Sequence, residues 1–251
     1  MHRFFLPVEY MTREIVNFPA ALAHQMRHVL RLKEGAEVEI LDDQGNALRV
    51  RLEVLSDSNA LGKIVERSQP QTEPTVKVAL CISLTQREKF ELLLQKNVEV
   101  GTARILPFVS RYSLVREKNI ESKRRQRWQD ILREAAEQSG RIIIPTLGEV
   151  STLPKLITRC VAEYDLCLVA WEDEHSTSLQ ESLQGYKKNG DRPQSVAIFI
   201  GPEGGFAQQE MELFGQAEVK AVSLGKRILR METAAILAPA LILYELGQME
   251  V

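Results

Sequence analysis

Ile198 to Phe206 reads Ile-Phe-Ile-Gly-Pro-Glu-Gly-Gly-Phe, a buried-strand run that breaks into glycines. Glycines after a strand let the backbone approach a ligand closely. A phosphate is one candidate, but the residue types argue against it. The loop is neither G-x-G-x-x-G nor a P-loop ending in Gly-Lys-Ser/Thr. Pro202 removes an N–H donor that a phosphate cradle would use, and Glu203 puts a carboxylate where the anion would lie. A fixed bend, a close backbone and a negative charge suit a neutral or cationic ligand better, and a sulfonium is such a cation. Gly-Pro and Gly-Gly are also ordinary turn dipeptides, so the residues alone leave a plain tight turn open.

A second candidate is electrostatic. Residues 1–74 carry a net charge of −2, residues 75–147 a net of +6 and residues 148–251 a net of −6. Within the basic block Lys123, Arg124, Arg125, Arg127, Arg133 and Arg141 fall in or beside one helical pattern. Concentrated positive charge on an otherwise acidic chain suits a polyanion, because phosphate neutralisation releases counterions. A solvated helix face is the alternative. Trp128 fits either stacking on unpaired bases or anchoring the helix in a core.

Other chemistry is weakly signalled. Cys81, Cys160 and Cys167 form no C-x-x-C pair and lie mostly in strand-like runs, as buried reduced thiols do. His24 and His28 stand four apart, but no further Cys or His lies near them, so no metal site is expected. No apolar run is long enough to span a bilayer. The N-terminal residues do not resemble a signal peptide, and a cytoplasmic protein without membrane contact is expected.

The elements that must position these residues fall into two patterns. Residues 1–70 predict short strands, a hairpin around Asp42–Asn46, and a short helix closed by Gly35. Residues 69–75, Gln-Pro-Gln-Thr-Glu-Pro-Thr, form the expected linker. Beyond it strands and helices alternate, which predicts an α/β unit with a parallel sheet covered on both faces. The helical patterns include 122–139, 177–189 and a long apolar one from Met231 with a kink at Pro239. In such sheets ligands bind beyond the carboxyl ends of the strands. The Gly201–Gly205 loop sits at one such end, and Ser223–Ala235 follows the next strand.

Phe199–Phe206 (Phe-Ile-Gly-Pro-Glu-Gly-Gly-Phe), followed by Val222–Ala235 (Val-Ser-Leu-Gly-Lys-Arg-Ile-Leu-Arg-Met-Glu-Thr-Ala-Ala), resembles the RsmE family of ribosomal RNA uridine methyltransferases in the SPOUT superfamily. Residues 2–7, 28–35, 87–101 and 127–141 are also similar to that family. The resemblance implies a fold: an N-terminal PUA-like RNA-binding β-barrel over 1–70, and a SPOUT methyltransferase domain over 71–251 with a trefoil knot. It also implies an activity, S-adenosylmethionine-dependent methylation of N3 of a uridine in the decoding region of 16S ribosomal RNA. The expected partners are that RNA, within the small ribosomal subunit, and a second copy in a homodimer.

Carried over by motif, the resemblance implies a cofactor pocket of three loops. These are Val169, Trp171 and Glu172; Gly201, Pro202, Glu203 and Gly204; and Leu224, Gly225, Ile228, Leu229 and Met231. Arg230 is expected to hold the anionic uracil or a phosphate, with an ion pair to Glu232 as the alternative. Glu203 and Glu232 are candidate bases for the N3 proton, or else caps that orient the loops. Arg3, His28, Arg31, Arg124, Arg127 and Arg141 are candidate RNA contacts, with Glu137 and Gln138 lining the site. Two rivals remain: a nucleotide-dependent α/β enzyme, and a non-catalytic RNA-binding ribosome-assembly factor on a methyltransferase scaffold.

Overall fold

The computed structural model describes residues 1–116, 120–186 and 192–250. They form two compact units. One comprises Met1–Glu73 with Ala136–Ile144, and the other Pro74–Ala135 with Pro145–Val251. The break after Glu73 lies inside the proline-containing stretch, but 136–144, which the sequence pattern groups with the second unit, packs with the first.

The first unit is built on β1 (His2–Phe5), β2 (Ile15–Phe18), α1 (Ala20–His24), β3 (Glu37–Leu41), β4 (Ala47–Leu55) and β5 (Ala60–Ser68). The strands form one sheet in the order β1-β3-β4-β5-β2. Only β1 and β3 run parallel. The β3–β4 hairpin turns at Asp42–Asn46, where Asp42 Oδ1 accepts from the N–H groups of Gln44 and Asn46. α1 continues into one π turn, Gln25–Val29. Phe4, Val16, Phe18, Met26, Val38, Ile40, Val50 and Leu52 fill the core.

The second unit contains β6 (Lys77–Ser83), α2 (Arg87–Val100), β7 (Arg104–Val109), α3 (Ser122–Ser139), β8 (Thr146–Leu147), β9 (Ser151–Thr152) and α4 (Leu153–Glu163). It continues with β10 (Leu166–Ala170), α5 (Leu179–Gln184), β11 (Ser195–Ile200), α6 (Gln208–Gln216), β12 (Lys220–Val222) and α7 (Met231–Glu245). Its strands form a parallel sheet in the order β12-β10-β11-β6-β7-β8, with β9 also on β7. The central strands are apolar throughout because helices cover both faces. The helix expected over 177–189 is described only to Gln184, and residues 187–191 lie outside the described chain.

α7 runs unbroken through Pro239. Proline has no N–H, so the Ala235 carbonyl loses its helical partner. The buried Asn97 amide supplies one, donating at 3.2 Å to Ala235 O and at 3.0 Å to Leu93 O. Asn97 Oδ1 in turn accepts from Thr102 Oγ1 at 3.0 Å. The three cysteines are buried free thiols. Burial pushes Cys167 up to about 12 and Cys81 well above the ordinary thiol range, so neither is nucleophilic near neutral pH.

Candidate functional site

Strand register brings the three expected loops together, of which the second and third contain glycine. Ala170, the last residue of β10, lies beside Ile200 at the end of β11 and beside Val222 at the end of β12. The loops therefore leave one edge of the sheet side by side. The Trp171 N–H donates to Val222 O at 3.1 Å, and the Leu179 N–H donates to Ser223 O at 3.1 Å. The Gly205 N–H closes the second loop onto Pro202 O at 2.9 Å, with φ at +71°. A Cβ at Gly201 would stand 3.0 Å from the Phe206 ring, and one at Gly205 3.3 Å from Glu172 Oε1. Gly201 lets its own loop fold against Phe206, and Gly205 lets that loop pack on the first. Gly225, at φ +118°, has open space where its Cβ would be.

One ammonium ties this edge to its neighbours. Lys89, in the first turn of α2, lies 3.0 Å from Glu203 Oε1 and 2.7 Å from Glu232 Oε1. Thr85 Oγ1, just past β6, donates to Glu203 Oε1 at 2.8 Å. The second loop and the N-terminus of α7 are thus fastened to the start of α2. Burial opposes ionisation of Glu203, but hydrogen bonds from its own N–H, Thr85 and Lys89 outweigh it and hold the carboxyl below its ordinary range. The Lys89 hydrogen bond does the same for Glu232. Lys89 is raised in turn, first by Glu232 and then by Glu203. Two carboxylates and one ammonium leave this cluster with one net negative charge. The second oxygen of Glu232, Oε2, is buried with no hydrogen-bond partner among the described residues.

Several expected roles change. A general base needs a pKa near the working pH, and Glu203 and Glu232 are biased away from it. The alternative partner for Arg230, Glu232, is taken by Lys89; Arg230 is exposed and forms no ion pair among the described residues. Val169 has no exposed surface and belongs to the core, so its side chain does not line the loops. Trp171, Leu224 and Leu229 are half-buried, Glu172 is exposed, Ile228 is 83% exposed, and Met231 is buried at the start of α7. Lys89 and Thr85 were not legible as site residues. The one available signal was their place just beyond a buried strand, at the ligand-binding edge of such sheets.

The expected RNA contacts fare differently. Arg141 is buried and paired with Glu73 at 2.5 Å, so it offers no charge to a polyanion. Trp128 is 1% exposed and packs on Phe90 with ring centroids 4.5 Å apart; it is a core anchor, not a stacking platform. The Arg124 guanidinium lies 5.0 Å from the centroid of the Trp128 ring. Arg127 lies 3.6 Å from Glu91. In the first unit, Arg3 pairs with Glu39 and His28 with Asp57. Arg31 adopts a left-handed φ of +55°. Glu137 accepts from the Phe5 N–H at 3.0 Å, a structural role, while Gln138 is exposed.

Comparison with known proteins identifies the family. Residues 71–243 match the RNA methyltransferase domain family. The chain is 29% identical over 223 residues to a ribosomal RNA small subunit methyltransferase E from Bacillus subtilis, covering 88% of this chain and 87% of that one. It is 30% identical to the protein of the same name from Mesomycoplasma hyopneumoniae, covering 94% and 96%. Among solved structures, the Neisseria gonorrhoeae ribosomal RNA small subunit methyltransferase E bound to S-adenosyl methionine superposes with a TM-score of 0.85, at 30% identity and 97% coverage of both chains. No helix among the described residues is long and apolar enough to cross a membrane.

Proposed function

Because the chain belongs to the ribosomal RNA small subunit methyltransferase E family, we propose that it methylates N3 of a uridine in the decoding region of 16S ribosomal RNA, using S-adenosylmethionine. The observation that supports this best is the meeting of three loops, two of them glycine-containing, at the carboxyl edge of β10, β11 and β12. Their residues suit this cofactor. Open backbone at Gly225 and apolar Leu224, Ile228 and Leu229 fit an adenosine, and the net negative charge of the Lys89 cluster favours a cation. The cofactor, when bound, supplies a methyl group on an electrophilic sulfonium.

The chain's own residues have three tasks. Glycine backbone at 201, 204 and 225 gives close access. Lys89 fixes the second loop against α7. Arg230, exposed and without an ion pair among the described residues, stabilises the uracil oxygens as N3 gives up its proton to solvent, so no carboxylate base is needed. The target base must be unpaired or leave its stack to reach this edge. The first unit is read as a PUA-like RNA-binding barrel, and the loop region as a trefoil knot. A cytoplasmic homodimer completes the reading: Leu237, Leu241 and Tyr244 form an exposed apolar stripe at helical spacing on α7 that a second copy would cover.

The test is transfer of labelled methyl from S-adenosylmethionine to small ribosomal subunits that lack the modification, with the modified base located by mass spectrometry. Label at uridine N3 is expected, with incorporation about a hundredfold lower for Arg230→Ala. RNA binding without incorporation would refute the enzyme reading in favour of an assembly factor. For the dimer, Leu241→Glu should shift the mass in light scattering from dimer to monomer, and a monomeric wild type would refute it.

A further inference from the structure

We propose that Arg111–Arg116, between β7 and α3, is a docking platform for single-stranded substrate RNA, with Tyr112 stacking on a base and Arg111 and Arg116 meeting phosphates. The inference rests on the methyltransferase reading, and it adds a substrate-binding surface to the same edge. β7 lies beside β6, and β6 beside β11, all in parallel register, so this segment leaves the sheet at the edge that holds the glycine loops. A Cβ at Gly204 would stand 3.3 Å from Tyr112 Cβ, so the tyrosine is a direct neighbour of the second loop.

The backbone of the segment is pinned from beneath. The Arg111 N–H donates at 2.9 Å to Glu210 Oε1, on a carboxylate only 9% exposed. The other oxygen of Glu210 accepts from the Ala207 N–H at 2.9 Å, so the same side chain also holds the start of α6. Ser113, 3% exposed, shares a hydrogen bond of 2.8 Å with Ser83 Oγ and accepts another of 2.8 Å from the Ser110 N–H. Arg116 Nη2 donates at 2.8 Å to Arg111 O.

The side chains above this frame face solvent. Tyr112 is 47% exposed and Leu114 60% exposed. The Arg111 guanidinium lies 6.0 Å from the Tyr112 ring centroid and donates to the neutral Gln209 Oε1 at 2.9 Å. Among the described residues, neither Arg111 nor Arg116 pairs with a carboxylate. An aromatic face on a fixed backbone, flanked by two guanidiniums with no carboxylate partner among the described residues, is what sequence-tolerant binding of unpaired nucleotides requires.

The probe is a short fluorescent oligouridylate, followed by anisotropy over a range of salt concentrations. S-adenosylmethionine affinity is measured in parallel by calorimetry. Tyr112→Phe should bind the oligonucleotide as wild type does, and Tyr112→Leu roughly tenfold more weakly. Arg111→Met with Arg116→Met should reduce the slope of log affinity against log salt by about 1.4, as loss of two single-strand phosphate contacts does. All variants should bind the cofactor normally. Unchanged RNA affinity and slope in these variants would overturn the platform, and so would a wild type that does not bind oligouridylate. Cofactor loss confined to Tyr112→Leu would overturn it as well, by making Tyr112 a support for the loop. A wild type that binds no cofactor would instead refute the underlying reading.

Discussion

α3 and the carboxyl edge of the parallel sheet both concentrate charge, and they use it differently. On α3, Arg125 pairs with Glu149 at 2.9 Å, Arg127 faces Glu91, and Arg124 lies over the buried Trp128. Just beyond the helix, Arg141 is closed in with Glu73. At the sheet edge, Lys89 is shared between two carboxylates, while Arg111, Arg116 and Arg230 have no carboxylate partner among the described residues. A run of arginines in sequence measures charge density, whereas recognition of an anion depends on charge left uncompensated at the surface. By that criterion the loops, and not most of the helix, carry the proposed RNA-binding face of the second unit.

The largest effect that separates the two regions is expected from Trp128→Ala. Removing a large buried aromatic should cost about 3–5 kcal/mol of stability, read by denaturant unfolding. Cofactor and RNA affinities at low temperature, where the variant stays folded, should hardly change. A selective loss of RNA binding would return Trp128 to a stacking role.

Lys89→Met should show the opposite profile. Lys89 is partly exposed, so unfolding should shift little, while calorimetry should show S-adenosylmethionine affinity falling by about tenfold as the second loop and α7 lose their common anchor. Lys89→Arg should restore part of it. The pH dependence has a defined sign. The lowered carboxyls of Glu203 and Glu232 contribute above the ordinary carboxylate range, and that contribution is lost as pH falls through their folded values. The raised Lys89 contributes below the ordinary lysine range, and its contribution is lost as pH rises through its folded value. These three groups should therefore add no pH dependence to wild-type affinity between about pH 5 and pH 10. In Lys89→Met the two carboxylates repel each other, so the acid limb should move to higher pH. An unmoved limb would separate the lysine from cofactor binding.

The smallest effect belongs to Arg127→Ala. Its ion pair is solvent-exposed and long, so stability should change by about 0–1 kcal/mol. RNA affinity should stay within a few-fold in the anisotropy assay. A large drop would mean that α3 contributes more to RNA binding than its ion pairs imply.

Much of this architecture is legible in the sequence, for identifiable reasons. Apolar runs such as Val78–Ile82 and Val196–Ile200 mark strands buried on both faces, and Gly101 in a left-handed conformation ends α2 where the pattern does. The Gly201–Gly205 loop is visible as glycines that break a buried-strand run, although its dipeptides alone also fit a plain tight turn. Pairing between distant residues is not visible. Nothing local tells that Glu73 lies against Arg141, that Glu232 answers Lys89 and not Arg230, or that Ala136–Ile144 packs with the first unit. Trp128 reads the same on a buried face as on an exposed one until Phe90 is placed beside it. The Asn97 amide under Pro239 is hidden for the same reason, since the carbonyl it serves is far away in the chain.

The central claim is that the cofactor lies against the Gly201–Gly205 loop, and calorimetric titration of S-adenosylmethionine into wild type and Gly204→Trp tests it most directly. Gly204 is exposed, so the variant should fold, as checked by its thermal transition, while the indole fills the space beside Tyr112. The account predicts saturable one-site binding by wild type and none by the variant. Equal binding by both proteins, or no binding by a well-folded wild type, would contradict it.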